Sequence, residues 1–566
     1  MDKLDKTLII RADADSNRGI GHIMRCIALA QEWQEKSGMV LFISCCTNKS
    51  LTKKIIQNKF ELITIEKPWP DPFDLNKTIK AIKDYKASWL VTDGYHFTEE
   101  YHAKIKATGV KLLVIDDYNH LSFYNADILL NQNMEAQKYS YATSPGTIKI
   151  TGNRFAMLKN NFLLTPESKN KTSHKAYKIL VTLGGADPGN LTLKVINALK
   201  IQKPRNLAIK IVLGPENKNH VSVQQALLSM PFDYDLITDT FNMPDLITWA
   251  DIAVSAGGST TWELLYHGVP AIFIINADNQ KNIVMAVHNA EAGINAGFSR
   301  AVDHKMIADK IDLLLQDSNL RQQLSINAKA IIDGKGRKRV VHLLRSMDEQ
   351  SKFDITILSD KNSWINQYIP DMRLEFVKAG HNARLIHSPR DLNRGDVAFF
   401  LGCSSLIDQN MLKLNTHNLV VHGSDLPKGK GWSPLTWQIL EGQNKIPVTL
   451  FEAEPSVDSG VIYSQQILEF SGHELILELR EKLGKASINL CCQFIKNYPY
   501  MLSSALPQKG RASFYKKRSP KDSQMDINKT LAEQFNLMRV ADNDNYPLFF
   551  EINNHKYRLF IEKQEK

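Results

Sequence analysis

Three times in its first half this chain runs an apolar strand into a glycine turn and on into a helix-periodic stretch, a pattern that fits parallel α/β layers. The first instance is the most informative. TLIIRAD reads as a strand, Ser16 to Gly21 as a turn, and Ile23, Cys26, Ile27 and Ala30 recur at helical spacing, so His22 opens a helix instead of sitting inside one. Backbone N–H groups at a helix start attract anions, and glycine lets a ligand approach the main chain, so Gly19 and Gly21 fit a phosphosugar pocket. The plainer reading is a tight strand-to-helix turn carrying a partly exposed histidine.

A length of 566 residues exceeds one hydrophobic core and implies several domains. The net charge of +10 suits phosphate-bearing substrates, but no Lys/Arg stripe interleaved with aromatics points to nucleic acid. Six cysteines, Cys26, Cys45, Cys46, Cys403, Cys491 and Cys492, form no CxxC pair or histidine-spaced cluster. The expectation is therefore a cytoplasmic protein with no metal. The start, MDKLDKTLII, has no signal-peptide apolar region, and no apolar run approaches the ~18 residues of a membrane span.

Runs such as VLFIS, ASWLVTD, KLLVIDD and ADILLN alternate with helical stretches and define one Rossmann-like lobe over residues 1–172. KILVTLGGADPGNLTLKVINAL opens a second lobe, residues 173–346, continued by LAIKIVLG, DIAVSAGG and AIFII. Two such lobes around a cleft form a glycosyltransferase-B type architecture, in which a nucleotide binds chiefly one lobe. Residues 347–352 read as a linker, 353–522 as a further α/β domain opening with DITILSD, and 523–566 as a small subdomain with the short helix LAEQFNLMRV and the β-like runs PLFFEI and YRLFIE.

VSAGGSTTWELLYHGVPAIFI supplies a second anion site. Gly257, Gly258, Ser259 and Thr260 offer N–H and hydroxyl donors to a pyrophosphate, and Glu263 one turn on can accept from ribose hydroxyls. A capped helix packed on the sheet is the alternative for Ser259 and Thr260.

GIGHIMR, LGGADPGN, SAGGSTTWE and ADNQ occur in an order that resembles the UDP-2,4-diacetamido-2,4,6-trideoxy-β-L-altropyranose hydrolases of pseudaminic acid biosynthesis, over residues 7–346. These are relatives of the UDP-GlcNAc transferase of peptidoglycan synthesis. The resemblance implies a UDP-sugar substrate and His22 as the general base whose water attacks the anomeric carbon with inversion and expels UDP. It also implies substrate contacts from Arg11, Asp13, Arg25, Tyr95, Asn279 and Gln280. For Arg11 and Asp13 an internal ion pair organising the loop is an equal alternative; Tyr95 fits an ordinary strand-end aromatic and Asn279 a helix cap. The chemistry agrees: UDP leaves well once its charge is held, whereas water must be oriented and deprotonated, work that suits a histidine. A glycosyltransferase of the same fold and a non-catalytic nucleotide-sugar-binding protein are the alternatives.

NLVVHGSDLPKGKGWSPLTWQILEG and VDSG, within residues 353 to about 520, resemble a 10-formyltetrahydrofolate-dependent formyltransferase. His422 and Asp458 would then be the catalytic pair and 10-formyltetrahydrofolate the cofactor. The family places an asparagine two residues before the histidine, where this chain has Val420; Asn418 and Asn415 are candidate substitutes, and a non-catalytic relic is the alternative. Methionyl-tRNA formylation ranks below a sugar substrate. The two halves together imply formylation of the 4-amino group of a UDP-sugar before UDP is removed, with other enzymes of nonulosonic acid synthesis as partners.

Overall fold

Long aliphatic runs with no polar alternation form central strands buried on both faces, as parallel sheets require. The computed structural model describes residues 6–14, 20–46, 49–166, 175–185, 187–202, 206–214, 217–238, 242–348, 352–405 and 407–564. They divide into two units, Met1–Asp348 and Glu349–Lys566. Gly19 lies outside the described residues.

The first unit holds two sheets. Strands β1 (Thr7–Ala12), β2 (Met39–Ser44), β3 (Glu61–Thr64), β4 (Trp89–Asp93), β5 (Lys111–Ile115), β6 (Ile128–Asn131) and β7 (Ile148–Thr151) pair in the order β3-β2-β1-β4-β5-β6-β7, parallel throughout. Strands β8 (Lys178–Thr182), β9 (Ala208–Leu213), β10 (Asp233–Thr238), β11 (Ile252–Ala256), β12 (Ala271–Ile275) and β13 (Ile294–Phe298) form the second parallel sheet, in the order β10-β9-β8-β11-β12-β13. These are the two Rossmann-like lobes of glycosyltransferase-B type that the strand–glycine–helix pattern implies. Helix Gly336–Ser346 returns to the first lobe, where Arg337 Nε lies 3.3 Å from Glu32 Oε2 and Arg345 donates to the Lys36 carbonyl at 2.9 Å.

Strand order reverses between β1 and β4 in one sheet and between β8 and β11 in the other. Ligands of open α/β sheets sit at the carboxyl ends of strands at such reversals. The helix that carries His22 follows β1, Asp93 ends β4, and the glycine pair of SAGGST follows β11. The fold therefore gathers at one cleft residues that the sequence scatters over two lobes.

The second unit is built on a mixed sheet, ordered β15-β14-β16-β17-β19-β20, from β14 (Asp354–Leu358), β15 (Asn382–Ile386), β16 (Gly395–Phe400), β17 (Asn415–His422), β19 (Lys445–Glu452) and β20 (Ile462–Glu469). The last two strands are antiparallel additions to a parallel start. Short β18 (Lys430–Gly431) pairs with β21 (Phe514–Tyr515). At the end of the chain a hairpin of β22 (Leu548–Ile552) and β23 (His555–Leu559) closes on its own small core of Met525, Met538, Ala541 and Leu548. The helix expected over LAEQFNLMRV is confined to Phe535–Arg539 and preceded by turns. Among the described residues no helix is long and apolar enough to cross a membrane.

Candidate functional site

A cleft of about 800 Å³ lies between the two lobes of the first unit, within the size range of small-ligand sites. Helix Gly21–Glu35 begins one residue before His22, so the imidazole stands on the first turn, where it can face the cleft instead of the sheet. His22 Nδ1 lies 2.6 Å from Asp93 Oδ1, and the ring meets Tyr95 edge-on at 4.9 Å. Asp93 is fully buried. Burial would push its carboxyl up, but Arg25 and His22 outweigh that and hold it well below the usual carboxylate range.

Arg25 also lines the cleft. Its guanidinium takes Asp93 at 2.7 Å and Asp117 at 2.8 and 2.9 Å, with both carboxylates gripped through two bonds. Tyr95 donates to Asp117 Oδ2 at 2.6 Å. Tyr95 and Asn279 both line the cleft. Burial and the Asp117 charge push the Tyr95 hydroxyl far up, so it stays a donor.

Arg11 is fully buried beneath the cleft, and its guanidinium is consumed by Asp13 at 2.5 and 2.9 Å and by Asp74 at 2.9 and 2.6 Å. The internal ion pair, the alternative to a substrate contact, is the arrangement this geometry has. Asp13 borders the cleft, but its oxygens also meet the Cys45 N–H at 2.6 Å and His96 Nε2 at 2.9 Å. Sequence reading missed Asp93, Asp117 and His96. The signal for the first two was present: acidic residues at the carboxyl ends of parallel strands, in VTDGY and VIDDY.

On the second lobe Gly257, Gly258, Ser259, Thr260 and Glu263 all line the cleft. A Cβ on Gly257 would come within 2.4 Å of the Val284 side chain, which would have to shift; at Gly258 nothing stands within 4 Å. Ser259 makes no side-chain cap bond, which leaves the helix-cap alternative without its hydrogen bond. The helix Thr260–Tyr266 has only 7 residues, so anion affinity here rests on the loop donors more than on a macrodipole. Glu263 stands 3.9 Å from Lys159, and burial pushes its carboxyl up against the pull of that lysine. Gln280 accepts from the Asn276 N–H at 2.9 Å and shapes the loop that it also exposes to the cleft.

In the second unit His422, at the end of β17, donates from Nε2 to the Gly429 carbonyl at 2.8 Å, and Asp458 Oδ2 accepts from Gly431 N–H at 2.7 Å. The two side chains thus hold one short loop from its carbonyl and its amide. They lie 3.7 Å apart, so the Gly429 carbonyl, not the carboxylate, orients the ring. A Cβ at Gly431 would fall 2.5 Å from the Tyr515 carbonyl oxygen. Val420 packs against the apolar cluster of Leu358, Ala398, Phe400 and Leu412. Neither proposed asparagine replaces the missing donor. Asn418 is fully buried with its amide on the Leu412 carbonyl at 2.9 Å, and it lies four residues before His422, roughly 13 Å at ~3.3 Å per residue. Asn415 is farther along the same strand and also buried.

Residues 178–344 match the family model described as Glycosyltransferase family 28 C-terminal domain. Spore coat polysaccharide biosynthesis protein SpsG of Bacillus subtilis is 24% identical over 343 residues, 60% of this chain and 98% of that protein. The UDP-2,4-diacetamido-2,4,6-trideoxy-beta-L-altropyranose hydrolase of Campylobacter jejuni is 27% identical over 221 residues, 38% of this chain and 73% of that protein. Methionyl-tRNA formyltransferase of Mycoplasma capricolum is 26% identical over 174 residues, 30% of this chain. The chain spans about half the length of that protein, 54%, and of another curated relative, 56%. The chain thus joins a nucleotide-sugar glycosyltransferase-like unit to a formyltransferase-like one.

Proposed function

We propose that the first unit hydrolyses a UDP-2,4-diamido-2,4,6-trideoxy-β-L-altropyranose to free sugar and UDP, and that the second formylates the 4-amino group of the UDP-sugar precursor. The observation that carries the first half is the 2.6 Å pairing of His22 Nδ1 with buried Asp93, on a cleft whose opposite wall is the Gly257–Thr260 loop. His22 Nε2 takes a proton from water as its oxygen bonds the anomeric carbon from one face; the bond from that carbon to the β-phosphate oxygen breaks on the other, and UDP leaves with the electron pair. Loop N–H groups and hydroxyls at Gly257, Gly258, Ser259 and Thr260 hold the pyrophosphate charge, Glu263 accepts from the ribose, and Tyr95 and Asn279 contact the sugar. Such a design needs no metal.

The likeness to a methionyl-tRNA formyltransferase supports a folate-borne formyl group for the second unit. The residues there meet that chemistry in part. His422 and Asp458 stand 3.7 Å apart on one loop, with the ring given to the Gly429 carbonyl, and the apolar packing of Val420 removes one donor for a carbonyl oxygen. A hydrolase of this class works on a 4-N-acylated sugar, and formylation is the acylation within reach of this chain, which places the two reactions in sequence in pseudaminic acid synthesis.

The match to a glycosyltransferase family model favours a second reading for the first unit, transfer of the sugar to an acceptor hydroxyl in place of water. Mass spectrometry of products from a UDP-2-acetamido-4-amino-trideoxysugar, with and without 10-formyltetrahydrofolate, tests all of this. A folate-dependent free sugar bearing one formyl group supports both activities and their order. UDP release only in the presence of an acceptor would replace hydrolysis by transfer, and UDP release only from a pre-acetylated sugar would remove the formylation step.

A further inference from the structure

We propose that Asp93 is the positioning residue that fixes the tautomer of His22, and that Arg25, Asp117 and Tyr95 form the frame that holds Asp93. The proposal rests on His22 as the base of the first unit. Two groups approach His22 Nδ1: Asp93 Oδ1 at 2.6 Å and Arg25 Nη2 at 3.3 Å. A carboxylate only accepts and a guanidinium only donates. The shorter contact decides, so Nδ1 carries the hydrogen and donates it to Asp93, and the lone pair of Nε2 is the one available for a proton from water.

The frame explains why this orientation persists. Asp93 is fully buried and cannot swing away, because Arg25 grips it at both oxygens and is itself anchored on Asp117. Two carboxylates share one guanidinium, which leaves one negative charge beside the imidazole. When Nε2 takes the proton, the imidazolium completes the neutralisation of that cluster. Tyr95 donates to Asp117 at 2.6 Å and lines the same cleft as Asn279 of the second lobe.

The test uses the full chain with Asp93→Asn, which preserves shape and removes the charge. Two-bond 15N–1H correlation on His22 reads the tautomer, UDP titration reports the integrity of the second lobe, and steady-state kinetics on the UDP-sugar separates kcat from KM. The expected result is a wild-type ring with hydrogen on Nδ1, a mixed or inverted tautomer in Asp93→Asn, unchanged UDP affinity, and kcat lower by about 10²–10⁴-fold with KM within about threefold. Arg25→Lys, which cannot bridge two carboxylates bidentately, should fall between the two and reports independently should Asp93→Asn fold poorly. Retention of both the ring signature and kcat in Asp93→Asn overturns the proposal. A Nδ1–H ring in the wild type and its loss in Asp93→Asn, without hydrolysis of any UDP-sugar by either, supports the positioning role and removes the substrate reading alone.

Discussion

Gly21 faces Ser259 across the cleft so closely that a methyl group at position 21 would stand 3.5 Å from the Ser259 hydroxyl. The helix start that carries His22 and the Gly257–Thr260 loop therefore line one cleft, although more than two hundred residues separate them. A reaction at a carbon attached to a phosphate needs that juxtaposition.

Replacing the imidazole should separate chemistry from binding. His22→Ala is expected to lower kcat for UDP release by about 10²–10⁴-fold while UDP itself still binds. Isothermal titration with UDP alongside a coupled UDP-release assay checks this, and near-wild-type turnover would strip His22 of its role.

Gly257→Ala forces a Cβ to within 2.4 Å of Val284 and 3.1 Å of Gln280. The loop must shift, at about 1–3 kcal/mol by the usual scale of overpacking, and UDP affinity should fall roughly tenfold or more. Gly258→Ala meets nothing within 4 Å and is expected to leave the fold's thermal transition in place. Equal UDP affinities in the two variants would contradict the assignment of the tight contact.

Asp74→Ala leaves buried Arg11 with Asp13 as its remaining carboxylate and also removes the acceptor for the Trp69 N–H and the Tyr101 hydroxyl. Breaking a buried ion pair costs about 3–5 kcal/mol, so the first unit should unfold at markedly lower denaturant concentration. A shift under 1 kcal/mol would show that the pair is not the organiser of this loop.

Burial would raise the Asp13 carboxyl, but His96 and Arg11 hold it well below its ordinary value. A depressed folded value stabilises the protein above the unfolded pKa, about 3.9, and that stability is lost as pH falls below it toward the folded value. Acid titration of the first unit should therefore show a loss of stability below about pH 4 that Asp13→Asn flattens. An identical acid profile in the variant would remove Asp13 from the account.

Asp458→Asn frees the Gly431 N–H from its charged acceptor and takes the carboxylate from beside His422. Formylation should drop by about 10²-fold or more while UDP release from an acylated sugar is unchanged. Folate-dependent product formation, followed by mass spectrometry, gives the ratio directly.

The sequence by itself determined the parallel α/β layers, because apolar runs that end in glycine turns leave a chain few other ways to bury both faces of a strand. It also pointed to the parts that line the cleft, His22 at a helix start and the Gly257–Glu263 segment, and in the second unit to His422 and Asp458, which hold one loop. Only the tertiary structure decided which charges face a ligand and which hold the protein together. The sequence already held the pairing of Arg11 with Asp13 as an equal alternative to a substrate contact, but not the partners Asp74, Asp93 and Asp117, which lie between 63 and 92 residues from the arginines they hold. The physical reason is that a guanidinium is satisfied by whatever acceptor the fold brings within 3 Å, and the strand order that brings it there is a property of the whole sheet. For the same reason Asn418, a plausible donor in sequence, turns out to be buried in β17 with its amide bonded to a backbone carbonyl.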